Sequence, residues 1–510
     1  MTPGSAKPRV LIVGAGLGGL TLAQCLRKQG IHFEIFDRDA DILARQGWAI
    51  AIHSIVDNLS VSFCSDMPPL RESADHLLPL KLEPQICFYG HGQKMTVENT
   101  PETQCLRLNR LLFRRWLATR IPLHWGKRLR RVEEEEGGCV TVHFEDGTSA
   151  SGDILVGADG VNSVVREHLL GQPNSEVLNS IPLSNIWGET TLSGEAFERQ
   201  LSLAHSTYAY SSQELGCVIL VGLNKVNADL SADYYWCVGW DDPDAGKPDH
   251  WLKYASGAAK HDWVMKMTEP LEYKFREIFQ LTPVADILPG QTVYRDLIIP
   301  SLPTGRIVLV GDAAHAMTPF RGEGGVQAIK DALNISEALG HINLEDSTDV
   351  GLILEPYQRE ILERGQAAVL MSRNANKNNQ QVHNSIVAWG HVAKPTAEEN
   401  VVLEKCKPHL PQGMRTSFQI LTCDPRISKI GPAASNYNVM LNTQDMSLQS
   451  RDPHSFGHAS PGIVTTGRFS SRWNLKCMEE KDLHFKFRKS ACTVNSRTGA
   501  GVELQADEQW

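Results

Sequence analysis

An apolar run from Val10 to Val13 stops at Gly14, and in "TLAQCLRKQG" the apolar positions then recur at helical spacing up to Gly30. "HFEIFDRD" follows as a second strand, so the first 45 residues predict strand, glycine turn, helix and strand, one βαβ unit. From about Gly47 to Val97 short apolar pieces such as "GWAIAIH" and "ICFYGHGQKMTVE" alternate with polar turns, the pattern of strands leaving one lobe to build another. "RLNRLLFRRWLATRI" predicts a basic helix. "RRVEEEEGGCVTVHFEDGTSASGDILVGADG" predicts a β-meander turning at Gly137-Gly138 and Asp146-Gly147, with Glu133 to Glu136 as a solvated strand end. Between about Gly171 and Leu302 the runs "YAYSS", "CVILVGL" and "YYWCVGW" predict a mostly antiparallel sheet, whose aromatics either line a cavity or pack on the sheet's own helices. Val308 to Leu339, "VLVGDAAHAMTPFRGEGGVQAIKDALNISEAL", predicts a strand, a turn through Pro319 and a helix opened by Gly322, Gly324 and Gly325. After about Lys394 no sustained period appears and Ser, Asn and Pro are common, so an irregular or poorly ordered tail is expected.

Length and composition narrow the picture. A chain of 510 residues is too long for one ordinary core, so two or three lobes are expected. With 50 basic and 59 acidic side chains the formal net charge is −9. That balance leaves no electrostatic footprint for nucleic acid and nothing to draw the chain to an anionic membrane, so small molecules are the expected partners. The cysteines are scattered from Cys25 to Cys492 without CxxC spacing, which suggests neither a zinc site nor a disulfide framework and fits a reducing compartment. No signal peptide and no apolar stretch of about eighteen residues is visible, so a cytoplasmic protein without a membrane segment is expected.

Three stretches carry the chemistry. In "VGAGLGG", Gly14, Gly16 and Gly19 form G-x-G-x-x-G between a predicted strand and a predicted helix. The first glycine makes the turn, the second lets the backbone reach a pyrophosphate, and the third lets helix and strand pack closely. Asp37, at the end of the second strand, is placed to hydrogen-bond an adenosine ribose, which leaves both NAD and FAD open. In "GDILVGADGVNSVVRE" another strand ends in Asp159-Gly160, with Arg166 in the first turns of the following helix. The third stretch, "GDAAH" followed by Pro319 and the glycine loop, contains Asp312.

Together, in this order and spacing, the three resemble the class A FAD-dependent monooxygenases of the p-hydroxybenzoate hydroxylase fold, from about Arg9 to Met371. "RQGWAIAIH" and "PFRGEGG" resemble fungal members that act on natural products. The resemblance implies an α/β fold, with a Rossmann-like FAD-binding domain interleaved with a mostly antiparallel β-sheet substrate domain, a C-terminal helical segment and an irregular tail. It divides the chain into FAD-binding pieces at 1–60 and 101–170, substrate-domain strands at 61–100, a substrate-binding sheet at 171–300, a third FAD-binding piece with C-terminal helices at 301–394, and the tail at 395–510.

By the same resemblance Gly14, Gly16, Gly19, Asp37, Ala51, Arg110, Asp159, Asp312, Gly324 and Gly325 contact FAD. Asp312 accepts from ribityl hydroxyls, and the helix opening at Gly324 and Gly325 aims free N–H groups at the flavin's pyrimidine edge. Arg110 lies near the phosphates, the alternative being an exposed helix arginine among Arg107, Arg114 and Arg115. Val326 stands where the family usually has Asn, Asp37 where Glu is commoner, and His315 reads as structural. The implied activity is a monooxygenase in secondary metabolism, a hydroxylase or epoxidase using NADPH or NADH and O2 on an electron-rich ring, enol or alkene. A Baeyer–Villiger oxygenase and a non-catalytic FAD-fold binding protein are the alternatives, and the W-x-W-x-I-P pattern of flavin halogenases is absent. His53 and Arg321 are the candidates for steadying a substrate phenolate or enolate, followed by Tyr208, Trp236 and Arg295 on the second lobe.

Overall fold

The computed structural model of the protein describes residues 7–377 apart from 45–46, 54, 91–92, 101–104, 136–137, 213–214 and 346–349, together with three strands between 483 and 506. The first apolar run is β1 (Val10–Val13), buried at all four positions because both faces of its sheet are covered. It sits at the centre of a five-stranded parallel sheet. On one side lie β2 (Phe33–Phe36) and β7 (Leu123–His124), and on the other β11 (Ile154–Gly157) and β18 (Ile307–Leu309). The helix Leu17–Gln29 that follows β1 packs against the helix Gly324–Gly340. Five neighbouring strands thus come from three distant pieces of chain, the interleaving that the resemblance implied.

The meander forms as expected, from β8 (Leu129–Glu134), β9 (Val140–Phe144) and β10 (Ser149–Gly152). Its tight turns contain Gly138 and Gly147 at φ 88° and 85°, a conformation that disfavours any Cβ, while Gly137 lies outside the described residues. The second lobe is a six-stranded sheet in the order β13 (Leu183–Leu192), β16 (Ala232–Asp241), β15 (Cys217–Val226), β14 (Thr207–Ser212), β4 (Gln85–Gly90), β5 (Gln93–Glu98). Every pairing is antiparallel except β14 with β4. The helix Tyr273–Gln280 puts Phe275, Ile278 and Phe279 into a second core with Tyr208, Trp236 and Val238 from one face of this sheet.

Between the lobes runs an antiparallel ribbon of β3 (Ala49–His53) and β6 (Cys105–Asn109), with Ala51 opposite Arg107. At one end Asn109 donates from Nδ2 to the backbone carbonyl of Asn224 in β15 at 3.1 Å. At the same end, Ile50 packs against the backbone of Gly325, where a Cβ would stand 2.2 Å from Ile50 Cδ1.

Two expectations need correction here. Strands do not fill the stretch from Gly47 to Val97, because short helices at Val56–Ser62 and Leu70–Ala74 separate β3 from β4. Nor does the basic helix begin at Arg107. Asn109 caps it, its Oδ1 accepting from Leu112 N at 3.0 Å, so the helix is Arg110–Leu117 and Arg107 belongs to β6.

The tail, expected without regular structure, contains an antiparallel set of β19 (Leu483–Phe487), β20 (Ser490–Asn495) and β21 (Glu503–Ala506). Leu483, Phe485 and Phe487 alternate with His484 and Lys486, a period-2 signal too short to stand out in a polar segment. The rest of that tail lies outside the described residues. Among the described residues no helix is long and apolar enough to cross a membrane.

Candidate active site

The three glycines of the turn after β1 have different surroundings. Gly14 has φ 111°, and a Cβ there would meet the Ala158 carbonyl oxygen at 2.1 Å. At Gly19 a Cβ would lie 2.0 Å from the Gly14 carbonyl oxygen, so helix and strand touch backbone to backbone. Gly16 has nothing within 4 Å and faces the cavity. The first intrahelical bond runs from Leu20 N to Gly16 O, and no acidic side chain occupies the first turn, which leaves the N–H groups of the helix start to a ligand. Asp37 is buried directly after β2, with Oδ2 accepting from Ala15 N at 2.5 Å and Oδ1 from Asp39 N at 2.8 Å. Arg114, which sequence reading set among exposed arginines, is buried, donates from Nε to Ala15 O at 2.9 Å and pairs with Asp39 at 2.9 Å. Its place four residues after Arg110, one helical turn on, was the signal available.

The second and third motifs are clamped together. Ser163 caps the helix Val164–Leu170, its Oγ accepting from Arg166 N at 2.9 Å, and Asp159, which lines the cavity, holds that cap by accepting from Ser163 Oγ at 2.5 Å and from Val164 N at 2.8 Å. Burial raises its carboxyl above the ordinary value, against the pull of Ser163. Arg166, fully buried, donates to Ala313 O at 2.9 Å and to Val161 O at 2.6 Å, and so holds the loop after Asp159 against the one that contains Asp312.

Asp312 opens onto the cavity. Burial among surrounding protein pushes its carboxyl up, with His315 and then Arg110 pulling it down. His315 turns the other way, its Nε2 lying 2.8 Å from Asp331 Oδ2. Asp331 also accepts from Gly311 N at 2.7 Å and from Arg364 Nη2 at 2.6 Å. Burial pulls His315 down, but Asp331 outweighs it and the imidazole is raised above its usual range. Conversely burial pushes Asp331 up, and His315 with Arg364 brings it below the usual carboxylate range. This buried trio fixes the turn from which Asp312 projects.

The helix Gly324–Gly340 begins at the same cavity. Its first intrahelical bond is Gln327 N to Glu323 O at 2.9 Å, so the N–H groups of Gly324, Gly325 and Val326 precede the ladder, and the first turn has no acidic residue. A Cβ on Gly324 would come no closer than 3.7 Å to Met317 and 3.9 Å to Asp312 Oδ1, so the approach is clear. Arg110 lines the cavity, and burial lowers its pKa while Asp312 raises it. Ala51 lines it from β3. His53 ends the same strand, and its side chain lies outside the described residues. Arg321 also lines the cavity, but its guanidinium is paired with Glu323 at 2.6 Å.

The three turn glycines, Asp37, Ala51, Arg110, Asp159, Asp312, Arg321, Gly324 and Gly325 edge one cavity of about 1000 Å³, the upper end of the range of about 300–1000 Å³ for small-molecule sites. Beyond the glycine turns it is walled by Trp48, Trp187, Tyr235, Thr207, Ile86 and Phe88. Trp48 stacks on Trp187 with centroids 4.7 Å apart at 19°, and on Tyr235 at 4.7 Å and 10°. The second-lobe candidates named from sequence fall elsewhere. Tyr208 and Trp236 are 1 % and 0 % exposed in the second core, bonded to Gln200 at 2.9 Å and to Thr282 at 2.8 Å. Arg295 donates to Asn162 at 3.0 Å and is not among the lining residues. Their strand neighbours Thr207 and Tyr235 face the cavity instead, because alternate side chains of a strand point to opposite faces.

Two family comparisons match the pieces that build this cavity. Residues 12–45 match the NAD(P)-binding Rossmann-like domain, and residues 284–372 match the FAD binding domain. The chain is 51% identical over 372 residues to the FAD-dependent monooxygenase thnD of Trichoderma harzianum, a match covering 71% of this chain and 92% of that protein. The chain belongs to the FAD-dependent monooxygenases. A second relative, cctM of Talaromyces islandicus, is 28% identical over 75% of this chain and 95% of its own. Among solved structures, Klebsiella pneumoniae HpxO complexed with FAD and uric acid superposes with TM-score 0.58 at 19% identity, covering 78% of this chain and 95% of that one. The 2,6-dihydroxypyridine-3-hydroxylase of Arthrobacter nicotinovorans gives 0.59 at 17%, over 74% and 94%; these two show the fold. The residues present fit FAD: a glycine turn open at Gly16, two unencumbered helix starts and a carboxylate at Asp312 converge on one cavity.

Proposed function

We propose that this monooxygenase hydroxylates or epoxidises an electron-rich aromatic, enol or alkene small molecule of secondary metabolism, using NADPH or NADH as transient reductant and O2. One observation carries the reading: the dinucleotide groove and an aromatic-walled compartment are parts of the same cavity, so a planar substrate reaches the cofactor without leaving protein. Bound FAD supplies the redox chemistry, accepting electrons from the coenzyme and activating O2. The chain's own residues bind and orient. Gly14, Gly16 and Gly19 admit the pyrophosphate, Asp37 faces the ribose, Arg110 offsets phosphate charge, and Asp159 keeps its helix start in place beside them. Asp312 would accept from ribityl hydroxyls. Ala51 would border the flavin, and the N–H groups of Gly324 and Gly325 would stabilise negative charge on it. Trp48, Trp187 and Tyr235 exclude water and offer flat surfaces for stacking. Arg321, which lines the cavity with its charge taken up by Glu323, and His53, at the end of β3, are the candidates for steadying a substrate phenolate or enolate.

The test is to purify the protein with its yellow chromophore, follow flavin bleaching by each coenzyme without oxygen, and then supply 18O2 with a panel of phenols, indoles and ketones. Incorporation of one labelled oxygen into a phenol or indole supports the reading. Labelled esters from ketones would replace it with Baeyer–Villiger chemistry, and a protein that takes up no FAD would remove it.

A further inference from the structure

Arg107 is a buried cavity arginine without an acidic partner among the described residues. It sits on β6 opposite Ala51 and is 7 % exposed. Its Nη2 donates to the phenol oxygen of Tyr235, its buried Nε has no partner, and no acidic side chain pairs with it among the described residues. The other cavity arginines differ: Arg321 and Arg128 pair with Glu323 and Glu145, Arg110 has Asp312 as its opposing charge, and Arg38 is exposed to water. A buried guanidinium without a counter-charge is costly, and proteins keep one where a ligand completes it. Its surroundings say what shape that ligand has. Tyr235, its partner, stacks on Trp48, which stacks in turn on Trp187, so the cation stands at the edge of a flat aromatic wall. Gly222, across from Tyr235 on β15, leaves room for that ring, since a Cβ there would fall 2.3 Å from Tyr235 Cζ. The phenol oxygen accepts from Arg107 and keeps its own proton to donate, so cation and O–H together present two donors to one acceptor group.

We infer that Arg107, positioned by Tyr235, binds the acidic oxygen of a planar aromatic substrate, a carboxylate or a phenolate, and sets specificity for acidic over neutral rings. This deepens the proposed function and rests on it for the identity of the occupant as substrate. Arg107 fixes which edge of the ring is held, and a phenolate held there keeps the electron density that an electrophilic oxygen needs.

The test is equilibrium binding to the oxidised, FAD-loaded enzyme by calorimetry, with 2-naphthoate, 2-naphthol and the neutral 2-naphthamide as probes. An acidic probe is expected to bind at least about tenfold more tightly than the amide. Arg107→Gln should abolish that preference with flavin content unchanged, Arg107→Lys should keep part of it, and Tyr235→Phe, which removes the partner that positions the guanidinium, should weaken it without abolishing it. Dependence of 2-naphthoate on Arg107 identifies a carboxylate, and dependence of 2-naphthol a phenolate. The inference is overturned if neither acidic probe outbinds the amide in the parent enzyme, absence of binding included, or if Arg107→Gln weakens all three alike or loses the flavin. No turnover is involved. An enzyme that prefers the acidic probe through Arg107 but oxygenates nothing would sink the proposed function alone, whereas one that oxygenates neutral rings without preference would sink this inference alone.

Discussion

Replacing Asp312 by Ala removes a carboxylate that opens onto the cavity and whose oxygens accept no hydrogen bond among the described residues. Surrounding protein raises its pKa from the ordinary 3.8, but its side chain is exposed to the open cavity, so in the protein without flavin water screens most of the cost of its charge. For an acid whose folded pKa is raised, the stability contribution is fully present below pH 3.8 and is lost as the pH rises through the folded value. Near neutrality the substitution should therefore leave the melting temperature of the apoprotein unchanged or higher. With flavin bound, the role proposed for Asp312 predicts that the same change would strand ribityl hydroxyls without an acceptor, a loss of about 1–3 kcal/mol, or about a 5- to 150-fold rise in the Kd for FAD. His315→Ala acts in the opposite sense. It breaks the buried bond to Asp331 and opens a hole beside Gly365, whose backbone packs so closely that a Cβ there would lie 2.6 Å from the imidazole. Melting temperature should fall, and flavin affinity should change less. The assay pairs fluorescence titration of FAD into deflavinated protein with thermal denaturation of the same sample. An Asp312→Ala protein that binds FAD like the parent, or that loses as much melting temperature as His315→Ala, would refute the division of labour between a ligand-facing carboxylate and a structural histidine.

Gly16→Val should fold and fail to retain FAD, since its side chain enters open cavity, whereas Gly19→Ala should lower the melting temperature because its Cβ would fall 2.0 Å from the Gly14 carbonyl; matched losses of stability in both would count against these roles. Asp331→Ala, which strips Arg364 and His315 of a buried partner, should destabilise by about 3–5 kcal/mol, measured by urea denaturation. In the parent, the Asp331 contribution is present above pH 3.8 and is lost as the pH falls through its lowered folded pKa. That of His315 is present below pH 6.5 and is lost as the pH rises through its raised one. A parent whose stability does not decline on both the acid and the alkaline side would contradict this. Ending the chain at Lys394 should leave flavin content and melting temperature unchanged, because the last described helix of the flavin-binding unit ends at Lys377; flavin-free truncated protein would show that the tail contributes to the fold.

Local patterns in the chain determined most of the cofactor half of the site. The turn glycines, Asp37 and Asp312 each follow a short strand, and their roles depend on backbone geometry within a few residues, which residue type and spacing specify directly. Even so, the split of "RLNRLLFRRWL" between strand and helix turned on one cap, Asn109. Moving that boundary by three residues took Arg107 from an exposed helix into the cavity.

The substrate half was decided by tertiary structure. Alternation in "YAYSS" and "YYWCVGW" specifies which residues share a face of the sheet, but not which face receives the helix Tyr273–Gln280 and which turns to the flavin lobe. With the parity read the other way, Tyr208 and Trp236 took the place of Thr207 and Tyr235. The stack of Trp48 on Trp187 and Tyr235 and the contact between Arg107 and Tyr235 join residues 128 to 187 positions apart in the chain. No local propensity encodes such a meeting, because it exists only once the β3–β6 ribbon has docked on the six-stranded sheet.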